Sequence, residues 1–382
     1  MLQDFQEIIQ IRRHLHQHPE LSGQEHQTAA FIVEQLAIYK PDYVLTGLGG
    51  SGVVAVFQGS TPEGPTVLFR AELDALPIAE TNLQLAHISK TTGVGHTCGH
   101  DGHIAILLGM AQLICSNKFE RGRVILLFQP AEETGAGADA VLQNNEFLQL
   151  KPDYVFALHN LPSYPTNQVV VRQGVFSAAS TGLIIELEGK TSHAAEPENG
   201  LNPGDAMAEL VLAVNNIAAE KAQFEDLTIL TLVHARLGEV AFGTNPGFAT
   251  VMATLRAYKT ADFQLLKKLV QEKAASIAKS HQLKYSIQFV EEFPATVNDF
   301  NAVEEIKKAA SQLAMKVVEA AQPFRWSEDF GHFTATYKGA LFGLGAGVKQ
   351  PQLHHSDYDF PDELIPAGSQ LFYRIAQNIL NS

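Results

Sequence analysis

Residues 96–115 read HTCGHDGHIAILLGMAQLIC. The first eight carry three histidines, a cysteine and an aspartate, in a chain with only two cysteines. The remainder of the stretch is apolar enough to predict a buried helix over 102–115. Outward from it lie short apolar runs of strand length, GVVAVFQ (52–58) and TVLFRA (66–71) before it, RVILLF (123–128) and YVFAL (154–158) after it. Runs without polar alternation suit strands covered on both faces, and their interleaving with helices predicts an α/β sheet. Nearer the start, Phe5, Ile8, Ile9 and Leu15, then Ala30, Ile32, Val33 and Leu36, recur at helical spacing on either side of the breaker HPELSG.

The bulk composition sets limits. With 382 residues the chain is too long for one ordinary core, so two domains are expected. Hydrophobic residues make up 46% and charged residues 18%, a globular composition. A net charge of -14 repels phosphate backbones and anionic lipid, which argues against nucleic-acid and membrane partners. The N-terminal residues lack a basic start and an apolar run, and AILLGMAQLIC is too short to span a bilayer. Cys98 and Cys115 do not make a disulfide framework, so a cytoplasmic location is expected.

The order changes near residue 177. LIIELEG (183–189) reads as a strand, 203–220 as a helix, 228–237 and 247–258 as strands, 261–281 as a helix and 285–292 as a strand. This βαββαβ order predicts a ferredoxin-like module over 178–292, inserted into a larger domain of 1–177 and 293–382. Beyond it come predicted helices near 301–321 and 327–336, the strand ALFGLG (340–345) and a final helix from about 362.

The chemistry lies where strands end. TVLFRA runs into Glu72 and Asp74, RVILLF into Glu132 and Glu133, YVFAL into His159, and ALFGLG through a loop to His354 and His355. Open α/β sheets bind ligands beyond the carboxyl ends of their strands. Cys98, His100 and Asp101 precede a helix that starts at that same edge. Thiolate, imidazole and carboxylate are the ligands of zinc and its first-row neighbours. Cys98, His100, Glu133, His159 and His354 suffice for two metals if one bridges, and Glu132 and Glu133 can divide the roles of ligand and base. Asp74 is expected to orient a ligand imidazole from behind, as is Asp101.

Blander readings apply elsewhere. Cys115, in an apolar run, is expected in the core. Cys98 as a thiolate nucleophile is a rival reading, against which the surplus of carboxylates counts. His96 and His103 are either supports of the ligands or packed. His14, His16 and His18 read as structural or solvated, and His87, His234, His281 and His332 have no evident partner. Glu72 reads as solvated, and Glu328-Asp329 as a cap or salt bridge. His193, in the loop GKTSHAAEP, and Arg256, on a predicted strand, are candidate donor groups of the inserted module.

Eight segments in order resemble peptidase family M20 in its amidohydrolase branch: RRHLHQHPELSGQEHQTA, RAELDALPI, HTCGHDGH, FQPAEE, ALHNLP, GKTSHAAEP, SEDFGHF and LHHSDYDF. That branch includes aminoacylases, hippurate hydrolases, N-acetyldiaminopimelate deacetylases and plant auxin-conjugate hydrolases. The resemblance implies a zinc-peptidase-like catalytic domain with an inserted lid that often mediates dimerisation. It implies two divalent metals (manganese, zinc or cobalt) on Cys98, His100, Glu133, His159 and His354. Glu132 would be the base that activates water, His193 would stabilise the oxyanion, and Arg256 would face the carboxylate of an N-acyl amino acid substrate. Two departures stand out. Glu72 replaces the usual Asp of the first motif, and FGTNPGFATVMATLR replaces the usual Asn-Val-Ile-Pro and Gly-Thr-x-Arg pattern, with Asn245 in place of that asparagine as a candidate substrate contact beside Arg256. The same site would also suit a metallo-dipeptidase or carboxypeptidase-like activity, and a protein that keeps the fold without turnover would be a binding module.

Overall fold

The computed structural model describes residues 5–381. The chain divides into two compact units, one holding residues up to Phe176 with 296–323 and everything from Glu328, the other holding Ser177–Ala295 with Phe324–Ser327. Among the described residues no helix is long and apolar enough to cross a membrane.

The first unit opens with helices α1 (Gln6–Gln17) and α2 (His26–Tyr39) and strands β1 (Tyr43–Leu48), β2 (Gly52–Gln58) and β3 (Thr61–Glu72). Then come α3 (His100–Ser116), β4 (Arg121–Gln129), α4 (Gly137–Leu142), α5 (Asn145–Leu148), β5 (Tyr154–Pro162), β6 (Val169–Val171) and β7 (Gly174–Ser177). The second unit supplies β8 (Ala179–Glu188), β9 (Ser192–His193), α6 (Gly204–Ala219), β10 (Thr228–Leu237), β11 (Thr244–Asn245), β12 (Phe248–Ala257), α7 (Thr260–Ser280) and β13 (Lys284–Phe293). The first unit resumes with β14 (Thr296–Asn298), α8 (Phe300–Gln312), β15 (Val317–Glu319), α9 (Gly331–Thr336), β16 (Lys338–Gly347) and α10 (Leu364–Leu380).

In the first unit eight strands form one sheet in the order β1-β2-β4-β3-β5-β16-β6-β15. Its centre, β4-β3-β5-β16, is parallel, so these four strands send their carboxyl ends to one edge. Residues of one parity, such as Val53, Val67, Phe69, Leu126, Phe156 and Phe342, pack in a core with α1, α2, α3, α8 and α10. The intervening Val54, Leu68, Ile125, Leu127 and Leu341 are buried too, and α4, α5 and α9 pack against the sheet separately from that core. Both faces are covered, which is why these strands read as continuous apolar runs.

The second unit is a four-stranded antiparallel sheet, β10-β12-β8-β13, with α6 and α7 packed on it. In sequence terms the order is second, third, first, fourth, the ferredoxin-like arrangement. Leu183, Ile185 and Leu187 alternate with less buried residues, as one covered face requires. Phe324–Ser327 returns to this unit because Ala178 donates its N–H to the carbonyls of Phe324 and Trp326, each at 3.1 Å.

Two expectations fail. The helix expected over 301–321 stops at Gln312, where Ala314 takes φ +55°, and the β-branched Val317 and Val318 pair with β6 as an edge strand. Cys115 is exposed, because Ile114 takes the buried place in the last turn of α3 and the next residue rotates outward.

Candidate metal centre

The metal-capable residues at the strand ends all belong to the first unit. Asp74 follows β3, Glu132 and Glu133 follow β4, His159 lies near the end of β5, and His354 follows β16. Cys98 and His100 straddle Gly99, whose φ of +95° and 2.8 Å approach of a notional Cβ to the Asn160 side chain demand glycine. One helical turn on, Gly102 lies against the Phe360 ring, which fixes the start of α3 over the sheet edge.

Two imidazoles are aimed from behind. His100 Nδ1 lies 2.9 Å from the Asp74 carbonyl, and His159 Nδ1 lies 3.0 Å from the Asn160 carbonyl. A carbonyl only accepts, so each Nδ1 donates and each Nε2 is left to face inward. His159 Nε2 is 3.5 Å from Cys98 Sγ. His100 Nε2 is 3.8 Å from Glu133 Oε1 and 3.9 Å from Glu132 Oε2, and His354 Nε2 is 3.7 Å from Glu133 Oε1. Cys98, His100 and His159 have ligand atoms within 4.8 Å of one another, and so do Cys98, Glu133 and His354. The two triads share Cys98. His100, Glu132 and Glu133 form a third such group. His354, rather than His355, joins the set; it takes φ +65°, and its N–H bonds the Thr97 carbonyl at 2.9 Å.

The donor set fits a divalent cation on its own evidence. His100 Nε2 and Glu133 Oε1 are buried with no hydrogen-bond partner, an arrangement native proteins avoid unless something else fills it. Burial pushes the Glu133 carboxyl up to about 7, with Asp74 and Glu328 adding to it and His100 opposing. Burial, Glu328, Glu133 and Asp329 push Glu132 well up, and burial with Glu133 and Glu132 raises the Cys98 thiol. Burial disfavours charge on His100, yet Glu72, Asp74 and Glu133 outweigh it and raise the ring to about 10. Burial lowers His159 to about 4, the neutral form a metal needs. The cluster holds more carboxylate than its own cations balance.

Around it stand supports. Asp74 Oδ2 accepts from the Glu133 N–H at 2.9 Å and from Ser22 at 2.7 Å, and its Oδ1 lies 3.5 Å from His100 Nδ1, so it ties two of the candidate ligands together. Asp101 meets Arg12 at 2.7 Å and His16 at 2.8 Å, so it holds the first turn of α3 and not a ligand ring. Sequence reasoning missed Glu72, which is fully buried against Arg70 and His103. Glu328 and Asp329, read as a cap or salt bridge, do form salt bridges, pairing with Arg70 at 2.9 and 2.6 Å beside Glu132. The signal was Arg70 itself: a charge inside a doubly covered strand must find buried partners. His87, without an evident partner in the sequence, meets Arg12 at 2.9 Å.

In the second unit, His193 is exposed on β9 and its Nδ1 accepts from the Ala195 N–H at 3.0 Å. Asn245 is buried, and its amide serves Ser192 at 3.0 Å and Asn202 at 2.7 Å. Arg256 donates to Ser327 Oγ at 2.9 Å and to the Arg325 carbonyl at 3.1 Å.

Residues 68–378 match the family described as peptidase family M20/M25/M40. An N-acetyl-L-cysteine deacetylase of Bacillus subtilis is 32% identical over 377 residues, covering 98% of this chain and 89% of its own. A hippurate hydrolase of Campylobacter jejuni is 30% identical, covering 98% and 97%. The crystal structure of the Bacillus subtilis YxeP protein, described as a dinuclear metal binding peptidase from the M20 family, superposes with a TM-score of 0.83 at 27% identity, covering 100% of this chain and 99% of that one. The chain belongs to peptidase family M20/M25/M40, in its amidohydrolase branch, and is a hydrolase.

Proposed function

We propose that this hydrolase cleaves the amide bond of N-acyl amino acids at a centre of two divalent metal ions, held by Cys98, His100, His159, Glu133 and His354. The observation that carries the reading is the pair of triads sharing Cys98, with His100 Nε2 and Glu133 Oε1 buried and unpartnered between them. The relatives named for N-acetyl-L-cysteine and hippurate support the substrate class, and the dinuclear neighbour supports the metal count. Manganese, zinc and cobalt all suit these donors.

When bound, such a pair of cations would polarise a carbonyl and make a water acidic enough to lose its proton near neutral pH. Glu132 is the group to take that proton. It is buried, lies beside the ligands without belonging to either triad on Cys98, and is steadied by the Asp329 N–H at 3.4 Å from its Oε1. Having taken that proton, it passes it on to the departing amine. Asp74 holds His100 and the Glu133 backbone in register. For His193 and Arg256 the reading keeps the roles the family likeness implies, oxyanion donor and carboxylate partner. Asn245 acts in it by fixing the strand that carries His193. Pairing of two copies through the second unit belongs to the same reading. It is supported by the edge position of β10 and by exposed Leu212, Val233, Val240 and Phe242. A cytoplasmic location rests on composition.

The test is amine release from N-acetyl, N-benzoyl and longer N-acyl amino acids, with dipeptides alongside, each with added manganese or with chelator. Metal-dependent cleavage of the N-acyl amino acids alone is the expected result. Cleavage of dipeptides alone replaces this reading with a metallo-dipeptidase at the same site.

A further inference from the structure

Behind the candidate ligands runs an unbroken line of buried polar side chains: Arg70, Glu72, His103, Asn160 and Tyr358, none more than 2% exposed. Arg70 pairs with Glu72. Glu72 Oε2 lies 2.7 Å from His103 Nδ1, and His103 Nε2 lies 2.5 Å from Asn160 Oδ1. The Asn160 amide donates to the Tyr358 hydroxyl. Glu72 and His103 are near enough to His100 to be ligands themselves, yet both carboxylate oxygens and both ring nitrogens are spent on this line.

Its members sit next to the ligand-bearing segments. Glu72 ends β3 two residues before Asp74. His103 is one helical turn from His100, and its ring lies 4.9 Å from that of His159, edge-on. Asn160 follows His159. Tyr358 comes four residues after His354, on a loop tied down by Tyr358 N–H to the His355 carbonyl at 3.0 Å. His354 holds a left-handed backbone with a full side chain, a conformation that persists only where its surroundings dictate it. Each link is buried and satisfied, and such a network fixes positions more tightly than apolar packing does.

We propose that this line is a positioning device, in which Asn160 and Tyr358 hold the His159 strand end and the His354 loop at the separation that lets Cys98 belong to both triads. The inference rests on the two-metal reading above. Tyr358→Phe removes one hydroxyl and nearly conserves volume, and the hydrogen bond it breaks is the one from Asn160. The metal-free protein and its variant are titrated with zinc and with manganese against a competing chelator, and both are melted with and without metal. We expect affinity for at least one of the two ions to fall about 10-fold in the variant, the scale on which supports of metal ligands act. Asn160→Ala, cutting the line in its middle, is expected to lose more. Should Asn160→Ala fail to fold, Tyr358→Phe still decides. If Tyr358→Phe melts lower with and without metal by the same amount, while the folded protein binds both ions as wild type does, the line is structural only and the proposal is overturned. Wild-type protein that takes up fewer than two ions instead overturns the two-metal reading, before any variant is measured.

Discussion

His100 and Asp101 are neighbours in sequence and belong to two buried clusters of opposite design. Asp101 lies between Arg12 and His16; Arg12 also meets Asp359 and Asp362, Arg13 meets Asp362 at 2.7 Å, and His16 meets Glu80 at 3.0 Å. Burial works against charge on Asp101, but Arg12 and His16 hold its carboxyl well below the usual range. His100 faces Glu132 and Glu133, whose carboxyls burial pushes upward for lack of cations. One cluster brought its counter-ions with it; the other is short of positive charge at the place where ligand atoms converge. Burying charge is tolerable only when it is paired or bound to metal, so the imbalance marks the site and the balance marks the scaffold.

The contrast can be broken most severely at Glu132. Glu132→Gln keeps the shape and the ligand set and removes the proton acceptor. Turnover should fall roughly 10⁴-fold, at the upper end for a general base. Metal content, measured on the same sample, should not change. Turnover within tenfold of wild type would remove Glu132 from the mechanism.

Next in size is the paired cluster. Arg12→Met leaves Asp101 buried without its main partner, at a cost of about 3 kcal/mol of unfolding free energy. Denaturant melts measure the loss. Zinc affinity of the folded variant should stay near wild type, because Arg12 serves the scaffold. A variant as stable as wild type would show that the balance of this cluster carries no energy.

The pH profile of the metal-free protein separates the clusters more gently. His100 is raised from 6.5 to about 10 and His16 from 6.5 to about 9, while burial and neighbouring carboxylates push Glu132 well above its ordinary range. In each the folded protein keeps a proton that the unfolded chain has released. The contribution of the two imidazoles is therefore full below about 6.5 and is lost as pH climbs through about 9 for His16 and about 10 for His100, whereas that of Glu132 already begins to be lost above its ordinary 4.5. His159 and His96, lowered to about 4 and 3, act in the opposite sense, but only below 6.5. The unfolding temperature of metal-free protein should decline over that window. Metal displaces the protons on the ligands, so the rise on adding zinc should grow over the same window. The share of His16 should persist with metal bound, since it lies in the paired cluster. A metal-free profile that is flat from 6.5 to 9 would contradict the assignment.

The sequence made the second unit most legible. The strand read over 228–237 is β10 residue for residue, and β8 and β12 alternate buried with less buried residues, as antiparallel strands with one covered face do. The candidate ligands were legible for a topological reason: four parallel strands end at one edge, and polar motifs follow each. The supports were not, because their contacts leap along the chain. Arg12 and Asp359 are 347 residues apart, and Arg70 and Asp329 are 259 apart. No local pattern carries such pairs. Glu72 read as solvated because a strand end next to a loop gives no sign that an arginine two residues back needs it. Cys115 failed by a single residue of helix phase.

That single residue yields the smallest effect and a clean control. Cys115 is exposed and lies away from both clusters, so Cys115→Ser should leave amide cleavage unchanged and stability within about 0.5 kcal/mol. It should also abolish the one fast thiol reaction of the protein. Cys98 is buried, and burial with the neighbouring glutamates raises its thiol, which keeps the reactive thiolate scarce. In Cys115→Ser, alkylation should therefore be slow, slower still with zinc bound, and should end activity only as metal is lost. A cysteine nucleophile predicts the reverse: rapid labelling of Cys98 that ends turnover while both ions stay in place. Timing metal release against alkylation in this variant decides whether Cys98 is a ligand or the attacking group.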